Sequence, residues 1–281
     1  MTTKQWNIIN LISWSKKFLN NNNISNARKE VEWMLCEILH CERIDLYLNY
    51  NKILNQSDLN KIKNMLKRRA RGEPFQYIIG KSTFYGRDFF VNKAVLIPRP
   101  ETEILIDRLK TKAKFVDLID IGTGSGCLAI TCAIEKIAEN IFATDISEKA
   151  LEVAKLNVDN YKLNNVQCAK HNILISNFKT KFDVVVSNPP YINQYEMVKL
   201  QNDILNHEPH LALTDGKDGL TFYKHFSNIF SSLIKPNGIM LLEISGPHQK
   251  GDIISLFPKT KYNLTFLKDL NGSLRAVEIT R

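Results

Sequence analysis

The fold is decided by Phe115-Val116-Asp117-Leu118-Ile119-Asp120-Ile121-Gly122-Thr123-Gly124-Ser125-Gly126. Its first seven residues have the apolar, β-branched character of a buried strand, and after five residues of turn chemistry a helical pattern follows from Cys127 to Ile137. The same alternation continues downstream. Ile141 to Thr144 reads as strand, Ser147 to Asn160 as helix, the region near Val166 as strand, and Phe182 to Ser187 as strand. Strands alternating with helices predict a parallel sheet covered on both faces. Further on, Asp218 to Leu233 reads as helix and Gly238 to Ile244 as strand. Asn263 to Leu270 and Leu274 to Ile279 are two strands around Asn271-Gly272, the strongest short hairpin signal. The expected fold is α/β, Rossmann-like, with a C-terminal antiparallel strand pair that a plain dinucleotide-binding domain does not need.

The glycine turn points to a ligand, because residues without a Cβ let the backbone approach a bound molecule closely. The pyrophosphate fingerprint G-x-G-x-x-G requires glycine at position 127, where Cys127 stands. The alternating form is the one that S-adenosylmethionine-dependent enzymes use, whose donor carries no phosphate. The N-terminus of the following helix then favours the donor's carboxylate. Asp145 closes the next strand, where an acid meets ribose hydroxyls. Taken singly, a glycine turn is a tight connection and Asp145 a helix cap. In this order and spacing they predict a methyl-donor site.

Upstream, apolar residues recur at three- and four-residue intervals from Lys4 to Arg71, predicting three to five short helices, with Ser57-Asp58 as cap of the last. No acid, His or glycine cluster converges there, so this segment reads as a recognition module. Phe84-Tyr85 and Phe89-Phe90-Val91 flank Gly86-Arg87-Asp88 as a β-hairpin, and Ile97-Pro98-Arg99-Pro100 forces extended or turn geometry before a helix from Glu101. The expected domains are residues 1–72, helical and substrate-recognising; 73–100, a hairpin linker; and 101–281, the catalytic domain.

Composition narrows the function. At 44% hydrophobic residues the 281-residue chain can bury a core and is not intrinsically disordered. Lys plus Arg exceed Asp plus Glu by 38 to 29, a basic balance that leaves ribosome or nucleic-acid contact open without requiring it. The five cysteines show no C-x-x-C spacing, so neither a disulfide framework nor a zinc site is expected. His207-Glu208-Pro209-His210 is not expected to ligate metal either, since Pro209 interrupts the helix that such a pair wants. No signal peptide or membrane helix is visible, and no oligomer seam. The chain is expected to be cytoplasmic and monomeric.

The chemistry is carried by Asn188-Pro189-Pro190-Tyr191, at the carboxyl end of the strand Val184 to Ser187. In open α/β sheets ligands bind outside those strand ends, so the tetrapeptide faces the glycine turn. The prolines stiffen the backbone, and the Pro189 carbonyl and the Asn188 side-chain oxygen are two fixed acceptors for the two hydrogens of a planar NH₂ group. Tyr191 is placed to stack on its plane. These acceptors bind more tightly as the attacking nitrogen gains positive charge. Asn188, Pro189 and Tyr191 are therefore the candidate catalytic residues, and a carboxamide or an exocyclic amine is the candidate acceptor.

These motifs resemble the release-factor glutamine methyltransferases of the HemK/PrmC type. The resemblance runs through Glu73-Pro74-Phe75-Gln76-Tyr77-Ile78, Leu96-Ile97-Pro98-Arg99-Pro100-Glu101-Thr102-Glu103, the glycine turn, Ser187 to Ile192, Glu208-Pro209, Asp218-Gly219-Leu220 and Leu242-Glu243-Ile244. It implies a class I S-adenosylmethionine-dependent methyltransferase sheet and, as substrate, the glutamine of the Gly-Gly-Gln loop of peptide chain release factors. It implies that Gly122, Thr123, Gly124, Ser125, Gly126 and Asp145 hold S-adenosyl-L-methionine. Asn188 serves donor and glutamine together, while Pro189, Pro190 and Tyr191 line the acceptor pocket and residues 98–103 border it. Where many members place an acid and an apolar residue against adenine, this chain has Asn172-Ile173, a neutral and weaker contact. Methylation of a ribosomal-protein glutamine, or of adenine in nucleic acid, shares the tetrapeptide and stays open here; a non-catalytic RNA-binding role is the remaining alternative.

Overall fold

The computed structural model describes residues 5–281; residues 1–4 of the expected first domain lie outside the described residues. The chain forms two compact units that divide between Gly80 and Lys81.

The first unit is helical: α1 (Ile8–Asn20), α2 (Ala27–Leu39), α3 (Arg43–Leu48), α4 (Gln56–Ala70) and α5 (Phe75–Ile79). Its core gathers the periodic apolar residues, among them Leu19, Val31, Met34, Leu35, Ile62 and Leu66. The cap of α4 is Asn55, whose side chain accepts from the Asp58 N–H, so Ser57 and Asp58 lie inside the first turn rather than before it. Pro74 starts α5, a position where its missing N–H costs nothing, and Gly80 ends it in the left-handed region. The stretch after Gly72 is thus helix, and the unit boundary falls at Gly80.

The second unit opens with the hairpin β1 (Lys81–Phe84) and β2 (Arg87–Phe90), whose turn is Tyr85-Gly86. Phe84 and Phe89 are fully buried against Leu105, Leu128 and Ala129, which makes the hairpin part of this unit's core and not a free linker. Asn157 fixes it in place: its amide bonds both polar backbone groups of Phe90 and donates to the Ser125 carbonyl in the glycine turn.

The main sheet has seven strands: β3 (Phe115–Ile121), β4 (Ala138–Asp145), β5 (Val166–Lys170), β6 (Phe182–Ser187), β7 (Ile234–Glu243), β8 (Asn263–Lys268) and β9 (Leu274–Thr280). They lie in the order β5-β4-β3-β6-β7-β9-β8. The first five in that order are parallel, and β9 joins β7 and β8 antiparallel. The parallel sheet and its C-terminal antiparallel pair are as the patterning predicts. Around the sheet run α6 (Glu103–Lys110), α7 (Cys127–Ile134), α8 (Glu148–Asn160), the short α9 (Gln194–Met197), α10 (Asn202–His207) and α11 (His210–Leu213), then α12 (Thr221–Leu233) and α13 (Lys250–Leu256). Helix α7 ends earlier than its apolar pattern, because Lys136 turns left-handed and Ile137-Ala138 passes into β4. The 188–220 segment, which carries no strong periodicity, folds as three one-turn helices and loops over the carboxyl ends of the strands.

Candidate active site

Two strands meet where the order reverses. β3 and β6 are neighbours, and the turns leaving them, with the end of β4, surround a cavity of about 290 Å³. Ligands in open α/β sheets sit at this kind of crossover. The cavity brings together Gly122, Thr123, Gly124, Ser125, Asp145, Asn172, Ile173, Asn188, Pro189 and Pro190. Gly126 and Tyr191 are not on its wall.

The glycines divide into two kinds. Gly122 and Gly124 have φ of +77° and +55°, and a Cβ on either would meet nothing within 4 Å, because the backbone there faces open cavity. Gly126 also has positive φ, but a Cβ would come 3.1 Å from Ile130 and 3.3 Å from the Ala154 side chain. It allows the close packing of α7 against α8. The turn is held by the Gly122 and Thr123 N–H groups donating to the Thr144 carbonyl. At its end Ser187 donates to the Ile121 carbonyl at 2.6 Å, tying β6 to β3.

Two acids support the turn. Asp120 is completely buried, accepts from the Thr123 hydroxyl at 2.6 Å, and is pushed up to about 7 by burial. Asp145 accepts from the Gly124 N–H and, on its other oxygen, from the Ser147 N–H; burial raises its pKa, opposed by these backbone donors. Both carboxylate oxygens have further lone pairs toward the cavity it lines. The Asp120 shift has a sign. Its folded pKa lies above the unfolded value of 3.8, so the native state holds the proton more tightly, and stability is lost as pH rises from about 4 to about 7. Asp120→Asn should gain on wild type by about 2 kcal/mol across pH 5 to 8, read from unfolding midpoints. A pH-independent difference between the two proteins would exclude this.

Also lining the cavity, Ile173 is buried and Asn172 bends its side-chain oxygen back to the Leu174 N–H at 3.1 Å, leaving one lone pair of that oxygen for a ligand. His171 stacks on Phe178 and its ring nitrogen meets the Ser176 carbonyl at 2.8 Å, an arrangement that holds the loop.

The tetrapeptide rim is held from behind. Asn188 donates through Nδ2 to the Thr102 hydroxyl at 3.3 Å, and that hydroxyl donates to Glu243 at 2.6 Å. The Tyr191 hydroxyl donates to the other Glu243 oxygen at 3.0 Å, and the buried Tyr223 hydroxyl donates to the Glu243 carbonyl. Burial pushes Glu243 up to about 7 and drives the Tyr191 phenol well above its ordinary value. Tyr191 therefore braces the rim instead of standing on it. Arg99 and the Ile97 N–H both bond the buried Glu208, which joins the 97–102 strap to the 207–213 segment.

The sequence alone assigns no supporting role to Thr102, Glu208 or Glu243; their burial is what reveals their work. Asp215, which lines the cavity, was not singled out at all. Burial raises its pKa, but the Thr221, Lys217 and Gly219 N–H groups outweigh that and hold it below the ordinary carboxylate range. The signal available was Asp215-Gly216 three residues before Asp218-Gly219, a double turn.

The cavity suits S-adenosylmethionine. Its glycine floor is open, its wall is mainly apolar with Asp145 and Asn172 among its polar residues, and Arg99, which also lines it, is paired with Glu208.

Comparison with known proteins agrees. Residues 10–80 match the PrmC N-terminal domain and residues 100–225 the methyltransferase small domain. The chain is 33% identical to the release factor glutamine methyltransferase of Geobacter sulfurreducens, over 97% of this chain and 96% of that one. It is 36% identical to that of Bacillus subtilis, over 96% of each. A bifunctional methyltransferase of Rickettsia felis is 33% identical over 97% of this chain, which spans 58% of that longer protein. Among solved structures, a methyltransferase from Pyrococcus furiosus superposes with TM-score 0.51 at 21% identity, covering 78% of this chain and 96% of that one. The hMettl16 catalytic domain superposes with TM-score 0.54 at 14% identity, covering 81% and 84%. These two share the fold. No helix among the described residues is long and apolar enough to cross a membrane. With the glycine turn, Asp145 and Asn188-Pro189-Pro190 on one cavity and full-length relatives above 30% identity, the chain belongs to the release factor glutamine methyltransferase family.

Proposed function

We propose that this protein transfers a methyl group from S-adenosylmethionine to the side-chain amide nitrogen of the glutamine in the Gly-Gly-Gln motif of peptide chain release factors. The observation that carries this reading is that Asn188-Pro189-Pro190 and the Gly122 to Ser125 turn line one and the same cavity.

Gly122, Thr123, Gly124 and Ser125 floor the donor half, Asp145 accepts from the ribose hydroxyls, and Asn172 and Ile173 flank the base. When bound, the donor supplies a methyl carbon on a positively charged sulfur. The chain's own part is positioning. The Asn188 Oδ1 and the Pro189 carbonyl each accept one amide hydrogen, which holds the carboxamide plane and turns the nitrogen lone pair into the donor half. As the nitrogen gains positive charge both hydrogen bonds strengthen, so the rim favours the transition state over the ground state. Orientation of this kind is worth about 7–11 kcal/mol, more than one charge-assisted hydrogen bond at about 1.5–3 kcal/mol, so no strong base is needed at the moment of attack. Pro190 keeps the rim rigid.

Purified protein with methyl-labelled donor should label a release factor and should not label the same factor carrying Gly-Gly-Ala. Label appearing only on a ribosomal protein or on nucleic acid would overturn the reading. Asp145→Ala should weaken donor binding about 10- to 100-fold by calorimetry, the worth of one charged hydrogen-bonding group. An unchanged dissociation constant would remove the ribose assignment.

A further inference from the structure

The Asn188 side chain has two ends, and only one of them is useful. An amide whose NH₂ faced the cavity would repel the hydrogens of an incoming carboxamide, whereas Oδ1 accepts one. The two ends are nearly the same size, so shape alone does not choose between them. The choice is made by what stands behind.

Behind Asn188 is the Thr102 hydroxyl, 3% exposed, and behind that the carboxylate of Glu243, 1% exposed, at 2.6 Å. An ionised carboxylate only accepts, so the single hydroxyl hydrogen of Thr102 must point to Glu243. Toward Asn188 the Thr102 oxygen then offers lone pairs alone, and the atom facing it must be a donor, Nδ2. The second oxygen of Glu243 takes the Tyr191 hydroxyl, so one carboxylate terminates hydrogen-bond chains from both ends of the tetrapeptide. Glu243 has no path to the cavity wall itself; Thr102 lines it and relays the polarity.

We infer that Glu243, acting through Thr102, is a positioning residue that sets the direction of the Asn188 carboxamide and so presents its oxygen, not its NH₂, to the substrate. This rests on the acceptor role given to Asn188 under the proposed function. It goes beyond it in assigning two residues that touch no reacting atom, and in predicting that removing the acceptor at position 243 would undo the polarity. A leucine there accepts nothing, frees the Thr102 hydrogen to point at Asn188, and rewards the flipped amide.

The test is a set of variants assayed at pH 8, where Glu243 is ionised. Thr102→Val keeps the shape and loses the relay; kcat should fall about tenfold, the worth of one ordinary hydrogen bond, with KM and donor affinity unchanged. Thr102→Ser should restore the rate, and Glu243→Leu, which removes the acceptor of the Thr102 hydrogen, should behave like Thr102→Val. In an Asn188→Ala background Thr102→Val should cost nothing further, since its effect passes through the missing side chain. Independently of turnover, the Asn188 NH₂ resonances, assigned by their loss in Asn188→Ala, should shift in Thr102→Val and return in Thr102→Ser. An undiminished rate in Thr102→Val, a further loss on top of Asn188→Ala, or unmoved amide resonances would each overturn the inference. A wild-type protein that leaves release factors unlabelled would instead overturn the proposed function, and the resonance test would still decide this one.

Discussion

Asn188→Ala should lower kcat by about 10²–10³-fold, the loss found when one preorganised transition-state partner is removed, while the unfolding midpoint stays close to wild type. The reason lies in the division of labour at the rim. The backbone of the tetrapeptide is held by Pro189 and Pro190 and, through Tyr191, by Glu243, so truncating Asn188 removes one acceptor and leaves the scaffold in place. Steady-state rates on a release factor, with unfolding midpoints, would check it. A variant within a few-fold of wild type would show that the carboxamide is held by backbone alone.

A second large effect is expected far from any reacting atom. Gly219 has φ of +76°, and a Cβ there would lie 2.2 Å from the Tyr191 carbonyl oxygen and 3.0 Å from its carbon. Both are backbone atoms, and the same carbonyl accepts from Gln249. Gly219→Ala must therefore push the Asp215–Thr221 turn away from the rim, at about 2–4 kcal/mol for overpacking together with the left-handed backbone. Midpoints should drop by several degrees and turnover should fall with them. Gly216→Ala separates the two causes: its φ is +71° and a Cβ there meets nothing, so it carries the conformational cost without the clash. Equal losses in the two variants would refute the steric argument.

Much of this was legible in the residue pattern. Strands β3 and β6 begin and end where their apolar runs do, because a strand covered on both faces leaves a near-continuous signature, interrupted here by Asp117, Asp120 and Asp183. The glycine turn, Asp145 and the tetrapeptide were readable because each sits at a strand end, where residue type reports chemistry more than packing. What escaped was tertiary. Nothing local distinguishes the packing glycine Gly126 from Gly122 and Gly124, since the difference is Ala154 on another helix. Tyr191 reads as a stacking surface until Glu243, fifty-two residues on, claims its hydroxyl. Likewise the hairpin looked like a connector because its aromatic residues find Leu105 and Leu128 only after the fold closes. The short helices between Asn188 and Gly219 have no period to detect, being one turn each and fixed by Glu208 and Asp215.

The placing of β9 inside the sheet, between β7 and β8, also bears on how the chain is made. On the ribosome β8 emerges before the strand it pairs with, so it has no ladder to join, and the flank of β7 stays bare until Leu274 to Thr280 have been translated. An uncovered strand flank is a template for foreign pairing. Nascent chains stalled between Asn263 and Leu274 should therefore be the ones that depend most on chaperones.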